Sequence, residues 1–219
     1  MPNNVRNLVR FSGSDDDVRS LMNRIQNDDL GYGTIDFDKV IHMPESLNIE
    51  DGSIKADALK CYHAKTSYSR YFIGKDILEK YPGKKLEDLR ELGRQYLKNK
   101  HDYGFMTWHE WRVANWGTKW NAYCQSAKNE RNPGLDFATA WCPPHQIISE
   151  IARTNPSISI VHEWADENTG VNCGRRRYQN GSLVENYMPE RGEEAEKFAY
   201  CIMNEPINRR YSYGSEAFD

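Results

Sequence analysis

Four of the five cysteines and six histidines of this 219-residue chain could be arranged as a zinc site: Cys142, His145, His162 and Cys173. Cys142 and His145 are spaced C-x-x-H, a workable half of a tetrahedral site. The other two are separated by ten intervening residues, and Pro143-Pro144 stiffens the first pair. The Cys142 thiol with His145 or His162 also has the makings of a nucleophile and base, at a strand-to-helix junction whose dipole would favour the thiolate. Asp36, Asp38, Glu163, Asp166 and Glu167 fall near expected strand ends, where a metal-dependent nuclease would keep its ligands. No D-x-D or E-x-K arrangement is joined to a matching lysine, so Asp36 and Asp38 read more simply as the polar face of an edge strand. No G-x-x-x-x-G-K-[ST], G-x-G-x-x-G or H-E-x-x-H string occurs, and WHEW lacks the second histidine. The expectation is therefore binding, with no catalytic set, no metal and no cofactor, and a nuclease as the enzyme alternative.

Binding chemistry is better represented. Residues 60–100 carry 11 Lys and Arg against 5 Asp and Glu, whereas residues 1–59 carry 6 against 11 and residues 101–219 carry 12 against 16. A basic lobe on an acidic body suits an acidic or polyanionic partner, and Lys84, Lys85, Arg90 and Arg94 are its candidate contacts. A solvated basic helix is the plainer reading of the same charges. The triplet Arg175, Arg176, Arg177 is a second candidate surface. In a strand its members alternate between faces, so at most two guanidiniums share a side; edge-strand charge also serves to block unwanted pairing.

These groups must be positioned by strands and helices. Residues 5–12 alternate as a strand, SDDD caps a first helix with the stripe Val18, Leu21, Met22 and Ile25, and residues 34–42 are expected to return as a strand through Ile35, Phe37 and Val40. Five of the six tryptophans lie between Trp108 and Trp141. Residues 108–116 have helical spacing and Gly117 offers the left-handed stop, with Asn115 and Thr118 beside it to satisfy the helix end. Residues 118–123 and a stretch after Asn132-Pro133-Gly134 that carries Leu135, Phe137, Thr139 and Trp141 are expected to form a hairpin with Trp120 and Trp141 on one core face. Indoles beside Ala, Leu and Phe are more often core than platforms for nucleic-acid bases, and no RNA-recognition string K/R-G-F/Y-G/A-F-V-x-F/Y is present. Lys119 is placed to lie over a ring of Trp116 or Trp120. A helix through Ile147, Ile148, Ile151 and Ala152 and a strand through Ile158, Ile160, His162 and Trp164 complete a second β-α-β. A terminal hairpin, 170–179 with 182–188, turns at Asn180-Gly181, and a last helix spans about 191–203. Between the halves, Leu59, Tyr62 and His63, then Leu86, Leu89, Gly93, Tyr96 and Leu97, mark helices around a turn at Tyr81-Pro82-Gly83.

MPNNVRN, FDKVIHMPESL, ANWGTKWNAY, FATAWCPP and the aromatic strand ending in HEWADENTG together resemble the YubB-like family of plasmid and phage proteins, over most of the chain except about residues 50–105. Cys142 departs from that pattern, which has serine between the tryptophan and the first proline. The resemblance implies residence on a mobile element and an α+β domain of ferredoxin-like topology: β-α-β repeats forming a mostly antiparallel sheet, built from residues 1–49 and 106–219, with a helical insertion at 50–105 and a C-terminal hairpin plus helix. It implies no established activity.

At 38% hydrophobic and 28% charged residues, a globular chain with a substantial core is expected. No run of about 18 apolar residues and no apolar N-terminal segment occur, so neither a membrane partner nor secretion is expected and the setting is the host cytoplasm. Cys61, Cys124, Cys142, Cys173 and Cys201 are odd in number and hold no C-x-x-C, which argues for free thiols. The function expected is that of an accessory protein that binds and modulates a host protein or ribonucleoprotein complex, such as a nucleic-acid-guided defence system. Direct binding of RNA or single-stranded DNA is the alternative. Oligomeric state is not legible.

Overall fold

The computed structural model describes residues 3–66, 77, 79–128 and 134–204. The elements used below are β1 (Asn4–Ser12), α1 (Asp15–Ile25), α2 (Ser53–His63), α3 (Leu86–Tyr103), α4 (Trp108–Trp116), β2 (Gly134–Ala140), α5 (His145–Thr154), β3 (Ser159–Asp166), β4 (Cys173–Gln179), β5 (Ser182–Tyr187) and α6 (Glu193–Asn204). The chain divides into two units, Met1–His42 with Asn115–Asp219, and Met43–Ala114. Among the described residues no helix is long and apolar enough to cross a membrane.

The first unit is α+β. Its sheet has the order β2-β1-β3-β4-β5 with every neighbouring pair antiparallel. Since β2 and β3 both oppose β1, they run parallel to each other, and β2-α5-β3 is the expected second β-α-β with β1 lying between its strands. Alternation along β1 assigns the two sheet faces. Val5, Asn7, Val9 and Phe11 are buried on one, in register with Asp166, Trp164, His162 and Ile160. Leu8 on the other joins Ala165 and Cys173 beneath Ala195, Ala199 and Ile202 of α6. Ser14 caps α1 by accepting from the Asp17 amide at 3.1 Å, as SDDD predicts. The terminal hairpin turns through Asn180 and Gly181, at φ 52° and 78°, the paired left-handed residues a tight two-residue turn demands.

Two expected strands do not form. At residues 34–42 there is a loop with a 3-10 turn, Phe37–Lys39, capped by the Asp36 side chain. Ile35 and Phe37 are buried as the alternation implies, but side-chain amides satisfy their backbone. Gln125 accepts from the Ile35 N–H and donates to the Ile35 carbonyl, both at 2.9 Å, and Asn121 accepts from the Phe37 N–H at 2.9 Å. Those amides occupy the ladder positions a partner strand would have filled. Residues 118–123 fail for the complementary reason. Asn121 serves the 35–37 loop, Thr118 donates to the Ala140 carbonyl at 2.9 Å in place of closing the helix end, and a single bridge, Tyr123 to Ala138, remains of the hairpin. Residues 132–133 of the expected turn lie outside the described residues.

In the second unit α2 and α3 pack through Ile54, Cys61, Ile77 and Leu89. Tyr96 donates to the Glu50 carbonyl at 2.6 Å, and Asn99 donates to Ser46 at 2.7 Å and Met106 at 3.2 Å, tying α3 to its flanking turns. Gly93 is the point of closest approach: a Cβ there would press into the Ala58 carbonyl and lie 2.8 Å from Tyr62 Cβ. Gly93→Ala should therefore destabilise by about 1–3 kcal/mol, even though it removes a helix-interior glycine worth about 1 kcal/mol in propensity. A lowered urea midpoint with unchanged slope would show this; a raised midpoint would mean that the helices yield at no cost.

Candidate functional site

The zinc quartet is not assembled. His145, in the first turn of α5, meets His162 of β3 with ring centroids 5.6 Å apart, and both lie against Trp164, at 4.6 and 5.2 Å. Cys173 pairs in register with Ala165, on the opposite sheet face under α6, where its thiol faces the Ala195 carbonyl. The histidine pair is built to stay neutral. Asn7 donates its amide hydrogens to the Val5 carbonyl and Thr139 Oγ1, both at 2.9 Å, so its Oδ1 is left to accept from His162 Nε2 at 3.0 Å. Burial, then His145, then Arg176 push His162 well below its ordinary value; burial, then Arg176, lower His145 to about 4. His145 Nδ1, His162 Nδ1 and Trp164 Nε1 find no hydrogen-bond partner there.

Nucleophilic and nuclease chemistry fare no better. The Cys142 thiol is pushed up by burial and by Asp166, away from the thiolate a nucleophile requires. Each carboxylate singled out has a structural partner. Asp36 caps the 3-10 turn, Asp38 meets His42 at 2.7 Å, and Glu163 pairs with Arg10. Asp166 accepts from the Asn168 N–H at 2.8 Å, and Glu167 from Asn4 at 2.8 Å. Among the described residues no group of three or more His, Cys, Asp and Glu is placed to hold a metal ion.

The basic candidates are largely engaged within the chain. Lys84 pairs with Glu50 at 2.6 Å, Arg94 with Glu91, and Arg90 donates to the Ala64 carbonyl at 3.4 Å. Lys85 is exposed at the head of α3. The unit that contains them, residues 43–114, holds 13 Lys and Arg against 11 Asp and Glu, so neighbouring acids dilute most of the excess of residues 60–100. Arg175 and Arg177 share one sheet face, as alternation requires, and both grip Glu185, at 2.9 and 3.3 Å. Arg176 lies on the other face and donates to Asn186 at 2.8 Å.

A different surface emerges at the tryptophans. Trp116 and Trp164 are core, each 1% exposed, but Trp120 is 39% and Trp141 51% exposed, so the expected Trp120–Trp141 core face is not there. Because residues 118–123 leave the sheet, nothing carries Trp120 inward. Trp141 follows β2 in a left-handed conformation, φ 67°, which turns its side chain out of the strand alternation. Two hydrogen bonds pin it: its N–H donates to the Asn3 carbonyl at 2.9 Å, and its carbonyl accepts from Asn172 Nδ2 at 3.0 Å. Lys119 Nζ lies 4.0 Å from the centroids of both indoles, over Trp120 and Trp141 and not Trp116. Tyr123 meets Trp120 edge-on at 6.1 Å and donates its hydroxyl to Asn4 at 2.6 Å. A left-handed backbone is costly for a bulky residue, and strain of this kind collects at functional sites. Period-2 alternation could not reveal this cluster. The one available signal was Pro143-Pro144, which ends strand geometry two residues after Trp141.

Residues 119–202 match the family model described as the ferredoxin-like domain in Api92-like protein. The matched stretch begins at Lys119, runs through β2, α5, β3, β4 and β5 into α6, and includes Trp120 and Trp141; β1 and α1 lie outside it. Among solved structures, protein api92 from Yersinia pseudotuberculosis is similar over 88% of this chain and 99% of its own, at 12% identity and a TM-score of 0.46. No curated protein matches in sequence. The ferredoxin-like, α+β class expected for the body of the chain is thus the class observed.

Proposed function

We propose that this chain is a non-catalytic accessory protein that binds and modulates a host protein or ribonucleoprotein complex, with Trp120 and Trp141 as the anchors of its contact surface. One observation carries the reading: two large indoles are held at the surface, one of them on a strained backbone, where neither adds to the core. Exposed tryptophans are the side chains most often found to dominate protein–protein contacts. The charge nearby favours a protein over a polyanion. Asn3, which accepts from the Trp141 amide, donates to Asp166 at 3.2 Å, and Asn4, which accepts from Tyr123, donates to Glu167 at 2.8 Å. Residence on a phage or other mobile element is supported by the YubB-like resemblance, and a defence complex as the target by analogy with small genes of such elements that engage host machinery.

Capture from a nuclease-treated host-cell lysate tests the reading. The parent should retain a defined protein band that Trp120→Ala and Trp141→Gly lose. Trp141→Gly should not lower the melting temperature appreciably, because relief of about 1 kcal/mol of left-handed strain offsets lost surface packing. Recovery of nucleic acid without protein would replace this reading by direct nucleic-acid binding through stacked indoles, and Mg²⁺-dependent degradation of added substrate would replace it by a nuclease.

A further inference from the structure

We infer that Trp120 and Trp141, with Tyr123 edge-on against Trp120, form an aromatic cage for an organic cation, a guanidinium or alkylated ammonium group presented by the partner, and that Lys119 fills the cage until that group displaces it. The inference rests on the proposed contact surface and names the chemistry the surface selects. Lys119 Nζ is 4.0 Å from each indole centroid, so the centroids are no more than twice that distance apart. Among the described residues the two indoles make no ring contact with each other and share the ammonium instead. The faces of such rings are electron-rich, and a gap of this width accepts a cation between two of them.

Lys119 is suited to leave. Among the described residues no carboxylate lies within ion-pair distance of its ammonium, and the half-buried residue carries its charge at the end of a flexible four-carbon stem. A cation–π contact at an exposed site is weak, so the lysine can swing into water, where its charge is fully hydrated. Local charge then selects the replacement. Exposed Glu167, hydrogen-bonded to the asparagine that accepts from Tyr123, leaves an acidic surround once Lys119 has moved out, with Asp166 buried behind Asn3. That surround attracts a cation and opposes a phosphate backbone. The pinned backbone of Trp141 keeps one wall in place in the empty cage, which limits the ordering that binding must supply.

The full chain is titrated with tetramethylammonium chloride against sodium chloride at equal ionic strength, following indole N–H resonances assigned with Trp120→Phe and Trp141→Phe. Saturable shifts confined to Trp120 and Trp141 are expected with tetramethylammonium only, and should vanish in Trp141→Gly. Lys119→Ala should tighten the apparent affinity about tenfold, as expected if the cage is open in roughly a tenth of the molecules. Identical shifts in the two salts, or unchanged affinity in Lys119→Ala, would overturn the inference. Saturation of the Lys119→Ala cage by adenosine monophosphate but not by tetramethylammonium would overturn it too, in favour of a base clamp. If the indole variants lose lysate capture while the cation titration fails, the contact surface stands and the cage does not. Saturable cation binding with no partner captured leaves the cage standing and removes the contact surface.

Discussion

Replacing Trp116 by alanine is expected to cost about 3–5 kcal/mol, the range for deleting a buried aromatic, whereas Trp120→Ala should stay within about 1 kcal/mol of the parent. The two residues are four apart and chemically identical. Trp116 is 1% exposed, donates its indole N–H to the Ile41 carbonyl at 2.8 Å and meets Phe37 edge-on at 5.9 Å, while Phe37 in turn meets Phe137 of β2 at 5.7 Å. Truncation would open a cavity lined by those rings and leave the Ile41 carbonyl without its donor. The backbone around that carbonyl is irregular and has no ladder to fall back on, so the 35–41 loop should loosen with it. Trp120 covers no comparable surface. Urea unfolding of both variants checks the pair: equal losses at 116 and 120 would mean that Trp120 packs inward in solution.

Acidification is expected to remove roughly 3 kcal/mol of stability between pH 6.5 and 4 through His145 alone, with His162 adding in the same direction. Burial depresses the folded pKa of both, His145 to about 4 and His162 well below its ordinary value. Below pH 6.5 the unfolded chain therefore binds protons that the folded chain refuses, and stability rises with pH across this window. Carboxylates with lowered folded values, such as Asp57 beside Lys60 and Glu110 beside Lys55, begin to lose their contribution only at the acidic end of this window, as pH falls through their ordinary values toward the folded ones. Chemical denaturation at pH 7.5 and 4.5 measures the slope. His145→Leu, which keeps an apolar group against Trp164 and removes the titrating ring, should flatten it; an unchanged slope would assign acid lability to other groups.

Several parts of the molecule were legible because their signals are local. The SDDD cap, the Val18-Leu21-Met22-Ile25 stripe, the left-handed Gly117 and the Asn180-Gly181 turn all appear where the sequence places them. Alternation also predicted that Arg175 and Arg177 would share a face and Arg176 would not. It misled at residues 34–42 and 118–123 because period 2 reports which side chains are buried and not what satisfies the backbone between them. Gln125 and Asn121 are ordinary polar residues in the sequence, yet they take the place of a strand.

By itself, then, the sequence determined the helices, the Ser14 cap of the first of them, the succession β2-α5-β3 and the terminal hairpin, since each depends on residues close together in the chain, whereas the insertion of β1 between β2 and β3 is a long-range pairing. Only the tertiary structure decided which tryptophans are core and which are surface, that His145 and His162 share a buried pocket from which Cys173 is excluded, and that Lys119 lies against two indoles. Those outcomes turn on one left-handed residue after β2 and on amides reaching across about 85–90 positions of chain, and such long-range contacts leave no period in the sequence.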